Sequence, residues 1–175
     1  MNVYCNQKRR THHSGIVGCN KMTNKNFWNK IDSFCIDDDK SSFPFSVRLQ
    51  TENKWTYKFT FRVIQEYKKF IYLASISNKK VSPSKYIDEA WHLHLLYTKS
   101  YWEDFMSDTI GIKIHHEPSK GIEEDSKFIS IFNDTIHLYE KEFKSTPPID
   151  IWFTSEQPKT KWNKLSSLIS RKKQC

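Results

Sequence analysis

Apolar side chains recur at helical spacing over most of the chain, and the clearest example is residues 56–78. Apolar residues there fall at positions i, i+4, i+8 and i+11, which is typical of a helix with one face in a protein core. They are Phe59, Val63, Tyr67, Phe70 and Ala74, with Ile64 and Ile71 beside them. A shorter helix is expected just before, at about residues 44–53.

A second long helix is predicted from a strong start signal. Ser82 or Ser84 can cap it, and Pro83 lies near the first helical position, where a backbone N–H has no partner within the helix. We expect this helix to run to about Ser107. Its inward side chains are predicted to be Ile87, Trp91, Leu95, Trp102 and Phe105.

The last long helix is expected at about residues 122–143. Its buried face is predicted to consist of Phe128, Phe132, Thr135, Ile136, Tyr139 and Phe143. Pro147 and Pro148 end it, because proline donates no backbone hydrogen bond and disfavours helical backbone in the residue before it. The whole pattern predicts a mainly α fold, a compact single-domain bundle of four or five helices with flexible basic termini.

The chain is predicted to have three parts. Residues 1–26 are expected to be a basic, disordered extension, residues 27–155 the helical domain, and residues 156–175 a basic C-terminal tail. Residues 161–169 of the tail place Trp162, Leu165, Leu168 and Ile169 at helical spacing with lysines between them. A basic amphipathic helix packs on its own domain, lies on a membrane surface or docks on a partner, and we favour the first.

Composition supports a globular core and excludes some classes of function. The 175 residues are 37% hydrophobic and 15% aromatic, whereas only 4 are glycine, so a glycine-rich phosphate-binding loop is not expected. The first residues contain no apolar core of a signal peptide, and no stretch approaches the length of a membrane span. These features predict a cytoplasmic protein without a transmembrane segment.

The net charge of +8 comes from the two ends of the chain. Residues 1–30 and residues 159–175 each contain six basic residues and no acidic one, so residues 31–158 carry a small excess of acidic residues. Binding of nucleic acid through the folded body is therefore not indicated. The expected partner is a small molecule or a protein, with weak contact between the basic tails and an anionic surface.

Four of the seven histidines form two close pairs, His92 with His94 and His115 with His116. Imidazole is a common nitrogen ligand of transition metals, so the pairs suggest a divalent metal site for Zn, Fe or Mn. In a regular helix His92 and His94 point about 160° apart, so only one of them can bind a given ion. Asp88 lies one turn before His92, which makes Asp88 and His92 the better half of the site.

The other half of the site leaves alternatives open. His115 and His116 point in opposite directions in extended backbone, so one would coordinate and the other would support. Glu66 or Glu124 can supply a further carboxylate from the edge of a buried helix face. The spacing HExxH of zinc proteases is absent. The candidate ligands are His92, His116, Asp88, His94, His115, Glu66 and Glu124.

Two hypotheses of function follow. In the first, the ion polarises a substrate oxygen or activates water, the spare histidine moves protons, and the protein is a metal-dependent enzyme. In the second, the histidines only join helices by hydrogen bonds, and the protein is a non-catalytic interaction module.

The segments around the histidines resemble those of a known family. Residues 88–94 read Asp-x-x-Trp-His-x-His and residues 115–118 read His-His-x-Pro. Over roughly residues 43–152 the chain resembles the glycine-rich domain-containing protein-like family, although it lacks a glycine-rich tail and has Met106 where bacterial relatives tend to have cysteine. The family that the chain resembles has no established biochemical activity. The resemblance implies that the family signature consists of Asp88, Trp91, His92, His94, His115, His116 and Pro118.

Overall fold

The computed structural model describes residues 22–116 and 125–153, and every regular element in these two ranges is helical. The elements are α1 (Lys25–Ser33), α2 (Phe45–Asn53), α3 (Tyr57–Ile76), α4 (Lys85–Leu96), a π-helix (Lys99–Ile110), α5 (Asp125–Phe143) and α6 (Ile149–Trp152). The predicted mainly α class is confirmed, with seven helical elements in the described ranges instead of four or five. The predicted disordered extension up to residue 21 and the amphipathic helix at residues 161–169 lie outside the described residues.

Helix α3 lies at the centre of the body and packs against α1, α2, α4 and α5. It begins where the sequence predicts, because the Thr56 side chain accepts a hydrogen bond from the Phe59 N–H at 3.3 Å and so caps the first turn. Of its predicted apolar stripe, Val63, Tyr67 and Phe70 are fully enclosed, whereas Phe59 and Ala74 at the two ends are half-buried. The other elements are arranged around this stripe.

Helix α4 is shorter than predicted and a π-helix follows it. Ser84 caps α4, but the helix ends at Leu96, and Tyr97 leaves the helical region with φ −87° and ψ 64°. The side chains buried in the π-helix are Tyr101, Phe105, Met106 and Ile110. They recur every four to five residues, which suits the wider i→i+5 turn of a π-helix better than the 3.6-residue period of an α-helix.

The N-terminal side of the body begins earlier than predicted. The Thr23 backbone N–H and hydroxyl both donate to the buried Glu142 carboxylate, at 2.9 and 2.5 Å. Asn24 caps α1 by accepting from the Phe27 N–H at 3.0 Å. Residues 22–26, which the sequence placed in the extension, therefore take part in the packed body.

The C-terminal side follows the prediction except at two aromatic residues, the exposed Phe128 and the half-buried Phe143. Helix α5 ends at Phe143, and the short helix α6 begins after Pro148. Phe128, predicted to be buried, is 43% exposed. Phe128 lies in the first turn of α5, one turn before Phe132. The buried Phe132 contacts the core, whereas Phe128 does not yet reach it.

A buried carboxylate joins three helices on this side of the body. Glu66 in α3 is only 4% exposed. Its Oε2 accepts from the Trp152 indole at 2.8 Å, and its Oε1 accepts from the Lys69 ammonium at 2.8 Å and from the Tyr139 hydroxyl at 3.4 Å. A buried charge is tolerated when it is paired and hydrogen-bonded, so this network positions α5 and α6 on α3.

None of the helices in the described ranges combines the length and the apolar character that crossing a membrane requires.

We expect Glu66→Ala to lower the free energy of unfolding by about 2–4 kcal/mol, because Lys69 and Trp152 lose a shared buried acceptor. Urea denaturation measures the change. Glu52→Ala is the matched control, since Glu52 forms an exposed ion pair with Arg48 and its loss should cost less than about 1 kcal/mol. Equal losses in the two variants would contradict the structural role of Glu66.

Candidate metal site

Helix α4 presents its candidate residues on two different faces. Trp91 and His94 are buried, whereas the side chain of His92 is 54% exposed and that of Asp88 is 34% exposed. Asp88 and His92 are four residues apart, so they lie on the same face one turn from each other. The helix therefore separates His92 from His94, as its 3.6-residue period requires.

Asp88, His92 and His116 meet at the solvent-facing side of α4. Each offers one ligand atom, and the three atoms all lie within 4.8 Å of one another. His116 Nε2 lies 2.7 Å from Asp88 Oδ1, and His92 Nδ1 lies 3.4 Å from Asp88 Oδ2. The centroids of the two imidazole rings are 4.3 Å apart. The structure thus brings three of the seven predicted candidates into one cluster, which we call the Asp88 cluster.

The dimensions of the Asp88 cluster are close to those that a metal ion needs. With bonds of about 2.1 Å, a tetrahedral ion holds its ligand atoms roughly 3.4 Å apart. The separation between His92 and Asp88 already has this value. The 2.7 Å between His116 Nε2 and Asp88 Oδ1 is shorter than this value, and no two of the three ligand atoms are more than 4.8 Å apart.

A hydrogen bond joins two members of the cluster. An ionised carboxylate only accepts hydrogen bonds, so His116 Nε2 carries the ring hydrogen and donates it to Asp88 Oδ1. A histidine nitrogen binds a metal through its lone pair, so the nitrogen that coordinates cannot also carry a hydrogen. Metal binding through Nε2 would therefore require the ring hydrogen to lie on Nδ1 and would replace the direct Asp88–His116 hydrogen bond.

Aromatic side chains hold the segment that carries His116. The Trp91 ring meets the His116 ring edge-on, with centroids 4.4 Å apart. The Trp91 indole N–H donates to the Tyr101 hydroxyl at 2.9 Å, and that hydroxyl donates to the Ile114 carbonyl at 2.6 Å. Burial raises the pKa of Tyr101 to about 12, so its hydroxyl keeps the proton that it donates.

His94 lies away from the Asp88 cluster in the core, and both of its ring nitrogens have partners. Nδ1 lies 2.9 Å from the Tyr67 hydroxyl and Nε2 lies 3.1 Å from the Ser100 hydroxyl. Burial raises the pKa of Tyr67 well above its ordinary value, so that hydroxyl donates to Nδ1 and Nε2–H donates to Ser100. Burial also lowers the pKa of His94 to about 3, with a smaller contribution from Lys68, so the ring is neutral.

The structure does not bring the other candidates into the cluster. Glu66 is occupied in its network with Lys69 and Trp152. His115 is exposed and its ring lies against Trp102, with centroids 5.2 Å apart. Glu124 lies outside the described residues.

Two aromatic residues also belong to the site, and of these the sequence singles out only Trp91, as an inward side chain and as part of the family resemblance. Trp91 and Tyr101 are indeed buried, but their polar atoms also connect α4 to the chain beside His116. The sequence signal for this role is weak, because an indole and a phenol ten residues apart are common on buried helix faces.

The neutral state of His94 predicts an acid-sensitive fold. In the unfolded chain His94 gains a proton near its ordinary pKa of 6.5, whereas in the folded protein it stays neutral until about pH 3. The contribution of neutral His94 to the free energy of unfolding is therefore complete above pH 6.5. It decreases by about 1.4 kcal/mol per pH unit as the pH falls from 6.5 toward about 3. Between pH 7 and 5, the wild-type protein should lose about 2 kcal/mol more free energy of unfolding than His94→Gln.

Urea denaturation at the two pH values measures this difference. The exposed His137 provides the control, since His137→Gln should lose as much stability as the wild type. Parallel losses in wild type and His94→Gln would show that His94 is not held neutral by burial.

Comparison with protein families matches residues 41–134 to the UCP032817-like family. The match covers more than half of the 175 residues and includes the whole Asp88 cluster. The assignment to the glycine-rich domain-containing protein-like family is therefore wrong, and the match does not show the signature inferred from that resemblance. Comparison with curated proteins and with solved structures gave no match. The description of the matching family names no reaction or ligand. The chain belongs to the UCP032817-like family.

Proposed function

We propose that the protein binds one divalent transition metal ion through Asp88, His92 and His116. The observation that carries the proposal is the convergence of three ligand atoms within 4.8 Å, two from α4 and one from the segment after the π-helix. Ligands from separate segments are typical of a site built by the fold, since local helix spacing alone brings together only Asp88 and His92.

The donor set favours particular ions. Two imidazole nitrogens and one carboxylate oxygen suit zinc or iron, and manganese less strongly, whereas magnesium and calcium prefer oxygen ligands alone. For a given site of this kind, divalent zinc generally binds more tightly than divalent iron or manganese. We therefore expect zinc to bind most tightly of the three.

The open side of the cluster would permit catalysis. Three protein ligands leave at least one coordination position for water or substrate. Solvent reaches the cluster from the side of His92, whose side chain is 54% exposed, while His116 is only 14% exposed. An ion held there would polarise a substrate oxygen or activate water, as in a metal-dependent enzyme. The exposed His115, which precedes His116 in sequence, is the candidate for moving protons.

A second candidate function is a non-catalytic interaction module with structural histidines. The observation that favours it is the direct hydrogen bond of 2.7 Å between His116 and Asp88. This bond already pairs one ring nitrogen with one carboxylate oxygen and fastens the chain after the π-helix to α4. Metal content distinguishes the two functions.

We expect untagged protein to bind one equivalent of zinc, and His92→Ala or His116→Ala to weaken that binding at least 10-fold, because each removes one of three ligands. Isothermal titration with zinc measures both the affinity and the stoichiometry. His137→Ala is the control, since His137 is exposed on α5 and lies outside the cluster. His92 is also exposed, so its substitution should leave the fold intact.

Two results would contradict the metal proposal. One is the absence of zinc binding by the wild-type protein, together with a melting temperature that chelator does not change. The other is equal zinc binding by wild type, His92→Ala and His116→Ala. Either result would favour the interaction module.

A further inference from the structure

The three residues of the Asp88 cluster are not held equally firmly by the backbone. Asp88 and His92 both belong to α4, so the helix fixes the distance between them. His116 follows the π-helix in a segment without regular secondary structure, residues 111–116. The position of His116 must therefore come from contacts outside its own backbone.

The Tyr101 hydroxyl provides a contact at the right place. It donates to the carbonyl of Ile114, two residues before His116, at 2.6 Å. The Tyr101 side chain is fully buried in the π-helix, so its ring has little freedom to move. This hydrogen bond fixes the backbone that leads into His116.

Trp91 connects this anchor to α4. Its indole N–H donates to the same Tyr101 hydroxyl at 2.9 Å, so the hydroxyl both accepts and donates. Each hydrogen bond in such a chain polarises the next. Trp91 precedes His92 directly in sequence, so the helix that carries Asp88 and His92 also holds, through Tyr101, the backbone beside His116.

The same tryptophan restricts the His116 ring. The two rings meet edge-on at an angle of 63° with centroids 4.4 Å apart. The same imidazole holds its Nε2 2.7 Å from Asp88 Oδ1, so it contacts both the Trp91 ring and the carboxylate. The Trp91 ring thus limits rotation of the imidazole away from the carboxylate.

We propose that Tyr101 and Trp91 are positioning residues of the metal site, which set the affinity for the ion without touching it. The inference rests on the proposed function, because it assigns a role toward the same ion. It predicts that removing one buried hydroxyl weakens metal binding although all three ligands remain. Groups that orient metal ligands commonly contribute 10-fold to 100-fold to affinity.

The test compares two tyrosine variants that differ in their connection to the site. Tyr101→Phe removes the hydroxyl bonded to Ile114, whereas Tyr67→Phe removes an equally buried hydroxyl that is bonded to His94. We expect Tyr101→Phe to raise the Kd for cobalt(II) about 10-fold and Tyr67→Phe to change it less than twofold. Absorption of the bound cobalt reports affinity and ligand geometry, and thermal melting reports stability separately.

Each outcome bears on a different claim. If wild type and Tyr67→Phe bind cobalt and Tyr101→Phe binds it with unchanged Kd, the positioning role is overturned while the metal site stands. If both variants weaken binding equally, the effect is one of general stability and the positioning role is again overturned. If the wild-type protein binds no cobalt, the proposed function fails and this inference fails with it.

A second variant covers the case in which Tyr101→Phe does not fold. Trp91→Phe keeps an aromatic ring in the core, makes that ring smaller, and removes the indole N–H that fixes the Tyr101 hydroxyl. It should weaken cobalt binding about threefold and alter the cobalt spectrum, because the Tyr101 hydroxyl that holds Ile114 loses a partner and the His116 ring loses part of its contact. An unchanged affinity and spectrum in this variant would overturn the proposal.

Discussion

The side-chain period of α4 decides which histidines of this protein can meet. With 3.6 residues per turn, Asp88 and His92 share one face while His94 points into the core. The buried face packs against α3 and the π-helix through Trp91 and His94. The opposite face is left to solvent, and His116 reaches it from the segment after the π-helix. Both the core and the candidate site therefore depend on which face of α4 points into the core.

Much of the fold could be predicted because its long helices carry unambiguous patterns. The apolar stripe of α3 and the Ser84 cap of α4 are local features, so they survive in the structure. The break after Leu96 could not be predicted, since no proline or glycine marks it there and the π-helix follows from how Tyr101, Phe105 and Ile110 pack. Helix α1 was missed although Asn24 is a regular cap, because basic neighbours suggested an extension.

The candidate site was predictable only in part. The pairing of Asp88 with His92 follows from helix spacing, and the structure places them together. The choice of His116 over His115 depends on the direction of the chain after Ile114, which long-range contacts with Trp91 and Tyr101 determine. Glu66 carries a carboxylate, which could bind a metal, but its hydrogen bonds to Tyr139 in α5 and Trp152 in α6 give it a structural role. These partners are distant in sequence, so the sequence alone could not reveal that role.

Anomalous diffraction at the zinc edge, from crystals of the untagged protein grown with zinc, tests the central claim most directly. The account predicts one strong peak on the solvent-facing side of α4, about 2.1 Å from an oxygen of Asp88 and from one ring nitrogen each of His92 and His116. In that structure Asp88 and His116 would no longer share a hydrogen bond. A crystal that keeps the direct Asp88–His116 bond and shows no zinc at the cluster would contradict the account.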